Sequence, residues 1–144
     1  MSFLVEFIKE KEGFSSEPYL DAVSVPTIAY GTTYYPDGTR VAMTDVSVSK
    51  EEGEVLLRHT LNKFQDYVIM YGHDNGYDWN SNQVEALTSF CHNLGRNRLK
   101  QLTNKGTRSN EEIAKKILLY KRAGGKVLKG LEVRRKEEAE HFNS

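Results

Sequence analysis

Cysteine is almost missing from the 144 residues: Cys91 stands alone. One thiol closes no internal disulfide and supplies no cysteine-rich zinc site. Proline is scarce as well, three in all, and no segment repeats, which excludes collagen-like and proline-rich chains. Apolar runs stop after about four residues, far short of the ~20 that span a bilayer. At the amino terminus Glu6 interrupts Phe3-Leu4-Val5 too early for a secretory signal. The expectation is a chain made in a reducing cytoplasm, with no membrane anchor, that reaches anything outside by another export route. Net charge is absent too, 20 basic against 20 acidic side chains.

What is present is a hydrophobic share of 38% and a length suited to one domain that buries about two thirds of its unfolded surface. The neutral total hides a polarity. Residues 1–95 carry a balance of −8 and residues 96–144 a balance of +8. A basic half is a solvated face or attracts a polyanion, whether nucleic acid or an acidic cell-envelope polymer. No aromatic residues interleave with these cations in a known nucleic-acid module, so no nucleic-acid partner is expected.

The periodicity predicts an α+β fold: a helix, a small antiparallel sheet, a long helix and a helical lobe. Leu4, Val5, Phe7 and Ile8 recur at helical spacing over residues 2–12, Ser2 is placed to cap and Gly13 to stop the helix. From about 14 to 45 the chain is strand-like, with Val23, Val25, Thr27, Ile28 and Tyr30, then a turn at Pro36-Asp37-Gly38. Pro18 and Pro26 argue for irregular edge strands. Ser49 and Glu52 form a capping box for a helix over about 50–71, with Val55, Leu56, Phe64, Val68 and Tyr71 at helical spacing towards Gly72. His73 to Asp78 has turn chemistry. The helical lobe follows over about 80–144, with a helix from Ser81 to Leu94, another opened by Ser109 and Glu112, a break at Gly124-Gly125, and a last helix over about 130–142.

One stretch carries chemistry. Glu12 ends the first helix, Asp21 enters the sheet, and Thr27 lies six residues further. A helix end opposite a sheet makes two walls with carboxylates facing each other. Two carboxyl groups in unlike environments are what glycoside hydrolysis needs, one as acid and one ionised. The negative end of the helix dipole disfavours an anion at Glu12. Backbone N–H groups around Asp21 favour one there, and the Thr27 hydroxyl is suited to hold a water against Asp21. Spacing alone does not single out this pair among 20 acids.

The motif Glu12-Gly13, Tyr19-x-Asp21, Thr27-Ile28-x-x-Gly31 resembles that of the phage-type lysozymes, glycoside hydrolase family 24. Tyr34-Tyr35-Pro36-Asp37-Gly38 is similar to a hairpin of many members. Gln83 to Phe90 with Asn93-Leu94-Gly95 looks like the family's groove helix. Ala123-Gly124-Gly125-Lys126-Val127-Leu128 with Arg134-Arg135 looks like its carboxy-terminal signature. The resemblance implies a lysozyme-like single domain over 1–144, two lobes joined by the long helix. It also implies a muramidase that cleaves the β-1,4 bond between N-acetylmuramic acid and N-acetylglucosamine in peptidoglycan.

By that resemblance Glu12, Asp21 and Thr27 are catalytic, and His92, Asn93, Tyr30 and Arg134 contact substrate. Arg134 or Arg135 would reach and position Glu12. No metal or cofactor is implied. Inversion is favoured, the outcome that a carboxyl separation of about 6.5–9.5 Å would give. The family further implies a monomeric endolysin made in the host cytoplasm and released onto the wall through a holin-like pore. A lytic transglycosylase, a non-catalytic wall binder and a virion tail component are the alternatives. Three departures stand out: Ser24 and Ala29 where the family usually has glycine, and Thr32 where histidine is common. Ser24 replaces a residue with a permissive backbone. Ala29 adds a methyl group close to the sugar or a neighbouring strand, and Thr32 removes an imidazole. Trp79 and the tyrosines are read as packing, Cys91 as a small buried hydrophobe, and His59 and His73 as bland.

Overall fold

Leu4, Val5, Phe7 and Ile8 line the first helix, α1 (Ser2–Glu12), and all four are buried. The computed structural model describes residues 2–144 and the side chains from Phe3 onward, so the cap expected of Ser2 lies outside the described side chains. Gly13 ends α1 in the left-handed conformation, φ 69°, and its N–H donates to the Lys9 carbonyl at 3.0 Å. The chain divides into two units, Met1–Lys63 and Phe64–Ser144.

In the first unit, β1 (Ser15–Leu20) pairs antiparallel with β2 (Pro26–Ala29). Tyr19 stands opposite Thr27 and Leu20 opposite Pro26, with an irregularity between Ser15 and Tyr19 that contains Pro18. Proline offers no N–H to a ladder, which is why this strand is interrupted there. Single bridges Ile28–Thr32 and Tyr34–Arg40 continue the sheet, the second closed by Gly38 at φ 89°. Ile28, Ala29 and Val41 form one core with Phe14, Tyr35, Val48 and Leu56; the α1 stripe forms another with Tyr30, Leu57 and Leu61.

The long helix α2 (Lys50–Asp74) begins at the expected box: Glu52 N–H donates to Ser49 Oγ at 3.1 Å, and Ser49 N–H to Glu52 Oε1 at 2.9 Å. Of its expected apolar face, Leu56, Phe64, Val68 and Tyr71 pack into cores, whereas Val55 is 64% exposed and Leu57 and Leu61, not expected there, are buried. It also runs past Tyr71. Gly72 does not stop the helix but makes room for Trp79, whose Cε3 would lie 2.6 Å from a Cβ at that position. The turn comes instead at Gly76, φ 77°.

In the second unit, α3 (Ser81–Leu94) opens with a capping box from Asn80 and Gln83 that the sequence reading passed over. A short α4 (Arg96–Leu102) follows, also unanticipated, then α5 (Asn110–Ile117), capped by Ser109 and Glu112 as expected. Gly124 and Gly125 turn a two-residue hairpin, β3 (Arg122–Ala123) with β4 (Lys126–Val127), before α6 (Lys129–Asn143). Val68, Leu87, Phe90, Leu99, Ile113 and Phe142 centre the core. Trp79 stacks on Tyr77 at 4.6 Å, and burial pushes the Cys91 thiol up to about 12, so both act in packing. Among the described residues no helix is long and apolar enough to cross a membrane.

Candidate active site

Asp21 follows β1 and organises the turn that leads into β2. Its Oδ1 accepts from the N–H groups of Val23 and Val25, each at 2.9 Å, while its own N–H donates to the Val25 carbonyl at 3.0 Å. This tight loop forces Ser24 to φ 63°, a left-handed backbone that glycine adopts without cost. Both bonds fall on Oδ1, so Oδ2 is not engaged by them. Carboxylates that accept N–H donors in this way are fixed in place as well as solvated.

Thr27 lies on β2, 4% exposed, and its hydroxyl donates to the Val25 carbonyl at 2.9 Å. Val25 therefore holds both side chains through one peptide segment, Asp21 at its N–H and Thr27 at its carbonyl. With its proton committed there, the Thr27 oxygen meets any further partner as an acceptor.

Glu12 comes from the end of α1. That end is fastened: Lys9 Nζ lies 2.7 Å from Glu54 Oε1 on α2 and 5.4 Å from the centre of the Tyr30 ring. The hydrogen bond to Glu54 holds the Lys9 ammonium above its ordinary range. The Glu12 carboxyl rests against Gly31, just beyond β2; a Cβ there would lie 3.0 Å from Glu12 Oε2. Gly31 also has φ 81°, so a side chain at this position would be strained in its backbone and would press on the Glu12 carboxyl.

Tyr19, opposite Thr27, is the residue that senses both carboxylates. Burial first, then the charge of Glu12, then that of Asp21, raise its phenol above the ordinary value. The sequence reading gave Tyr19 and Gly31 no role of their own. The signal was present in Tyr19-x-Asp21, since residues two apart on an extended chain share a face.

Ala29 is the second departure from glycine with a left-handed backbone, at φ 58°. Its neighbour is the α2 backbone at Gly53, where a Cβ would lie 3.1 Å from the Ala29 methyl. Thr32 is buried, and its hydroxyl has no hydrogen-bond partner among the described residues. Tyr30, expected at the substrate, is 6% exposed and packs against the Phe14 ring at 5.1 Å.

The remaining expected residues belong to the second unit. His92, on α3, sets its ring edge-on to Phe64 at 5.6 Å; burial, then the Arg134 charge, lower its imidazole to about 4. The Asn93 side-chain oxygen is buried with no hydrogen-bond partner among the described residues. Arg134 on α6 donates to the Ser89 carbonyl at 3.3 Å and to Glu138 at 3.4 Å. Arg135 is fully buried, its Nε 2.6 Å from Glu138 Oε1. Among the described residues no group of three or more His, Cys, Asp or Glu could hold a metal ion.

A profile of the phage lysozyme family matches residues 9–138. The endolysin of Bacillus phage B103 is 34% identical over 144 residues, covering 96% of this chain. The chain spans 51% of that relative's own length. Among solved structures, the muramidase domain of SpmX from Asticaccaulis excentricus is 26% identical with a TM-score of 0.79, covering 100% of this chain and 97% of that one. A mutant of P22 lysozyme is 28% identical with a TM-score of 0.76, over the same shares of the two chains. The α+β fold is thus lysozyme-like, and the chain belongs to the phage lysozyme family.

Proposed function

We propose that this chain is a muramidase that hydrolyses the β-1,4 bond between N-acetylmuramic acid and N-acetylglucosamine in bacterial peptidoglycan. Glu12 in its acid form gives a proton to the glycosidic oxygen. Asp21 and Thr27 hold the attacking water, which donates one hydrogen to Asp21 Oδ2 and the other to Thr27 Oγ1. A water held by two acceptors turns its lone pairs outward, towards the anomeric carbon. As its oxygen bonds to that carbon, the glycosidic bond breaks, the leaving oxygen keeps the Glu12 proton, and Asp21 takes a proton from the water.

The observation that carries this reading is the shared anchorage of Asp21 and Thr27 on Val25, with the Thr27 proton already committed. Tyr19, which stands opposite Thr27 and whose phenol is raised by burial and then by the charges of Glu12 and Asp21, supports each acid lying near that strand pair. His92, Asn93, Tyr30 and Arg134 are assigned to the substrate on the family resemblance. Tyr30 and Arg134, both buried, serve in this reading by supporting groups that meet the sugar. The chain then acts as one monomeric lysozyme-like domain, an endolysin made in the host cytoplasm and released through a holin-like pore.

Digestion of purified wall, with products weighed by mass spectrometry, tests the proposal. Reducing N-acetylmuramic ends are expected from the unmodified protein, with at least a 100-fold loss for Glu12→Gln while pelleting with wall persists. Anhydro ends would replace the hydrolase by a lytic transglycosylase. Pelleting without any products would leave a wall binder.

A further inference from the structure

We propose that the exposed segment of residues 119–129 docks on a membrane surface bearing anionic phospholipids. The inference is independent of the hydrolase reading and rests on a concentration of two side-chain types. Between Ile113 and Leu131 the chain has six Lys and Arg and no carboxylate. The hairpin of β3 and β4 lies within this stretch, and both of its strands are exposed. Leu119 is 61% exposed, with Val127 and Leu128 also open to solvent. Of the neighbouring cations, Lys121 has Glu132 at 3.9 Å. Arg122, Lys126 and Lys129 make no ion pair among the described residues.

A soluble polyanion would need the cations only. Leucine and valine interleaved with unpaired cations suit a boundary where charged headgroups adjoin hydrocarbon. Each Lys or Arg near such a surface strengthens attachment severalfold, and the apolar tips gain when they leave water. The neutral net charge of the whole chain does not oppose this, because attraction is local within a Debye length of about 8–10 Å.

Co-sedimentation of the full chain with vesicles tests the idea. Binding is expected to vesicles of phosphatidylglycerol mixed with phosphatidylcholine and not to phosphatidylcholine alone. Arg122→Glu with Lys126→Glu should weaken it by at least about tenfold. The decisive variant is Leu119→Ser with Leu128→Ser. Leu128 occupies the N-cap of α6 without a side-chain bond, so serine suits the fold there. This variant should also lose about tenfold in vesicle binding, with unchanged far-ultraviolet circular dichroism and unchanged clearing of isolated wall. Equal vesicle binding by the serine variant would overturn the proposal. So would failure to bind the mixed vesicles, even with capture of soluble polyglutamate retained.

Discussion

Ser24 shows how a single residue stores cost beside a candidate catalytic group. Its left-handed backbone is forced by the loop that Asp21 grips through Val23 and Val25. Ser24→Gly should stabilise the fold by about 1 kcal/mol, the ordinary penalty of that conformation for a residue with a Cβ. Urea denaturation would read this, and an unchanged midpoint would show the loop to be unstrained. His92 makes a second prediction, on pH. Burial and Arg134 depress its imidazole to about 4, whereas the unfolded chain protonates near 6.5. The folded state therefore binds the proton less tightly, so stability is lost as pH falls from about 6.5 to about 4. The loss is at most about 3 kcal/mol, reduced by solvent reaching the ring. The melting temperature should fall across that window, and less steeply in His92→Gln; parallel slopes for the two proteins would refute the assignment.

At the scale of elements, α6 is joined to α3 by a buried ionic knot. Ser89 of α3 donates to Glu138 of α6, which receives Arg134 and Arg135 on its own helix. Burial raises the Glu138 carboxyl while the two guanidinium charges oppose that shift. Removing the acid leaves two buried cations with less compensation. Glu138→Gln is accordingly expected to cost about 3–5 kcal/mol, measured by thermal or urea unfolding. A loss below about 1 kcal/mol would mean that solvent already reaches the knot. The same element shows the reach of sequence reading. The Ser109 and Glu112 box was legible because capping is local, whereas the arginines that hold α6 announce their burial nowhere in the local pattern.

For the whole molecule, the charge polarity makes a prediction about ionic strength. If the basic residues 96–144 help hold an anionic wall polymer, clearing of wall suspensions should fall steadily between about 20 and 500 mM salt, as screening shortens. A flat response would remove that contribution without touching the assignment of Glu12. At this scale most of the architecture was readable, since helical stripes, caps and the Gly13 stop depend on neighbours in the chain. The extent of α2 was not, because Gly72 resembles a terminator until Trp79 is seen to need its missing Cβ.

Sequence by itself determined α1, α3, α5 and α6, the start of α2, the small sheet and the Glu12, Asp21 and Thr27 motif, all of which follow from spacing, residue chemistry and resemblance, while α4 escaped it. Only the tertiary structure decided that Val25 anchors Asp21 and Thr27 together, that Gly31 makes room for the Glu12 carboxyl, and that Tyr19 lies in the field of both acids. These relations join residues brought together by the bend of the sheet and the closure of a helix upon it. Their distances and fields depend on the folded path of the backbone, which a local residue pattern constrains but does not specify.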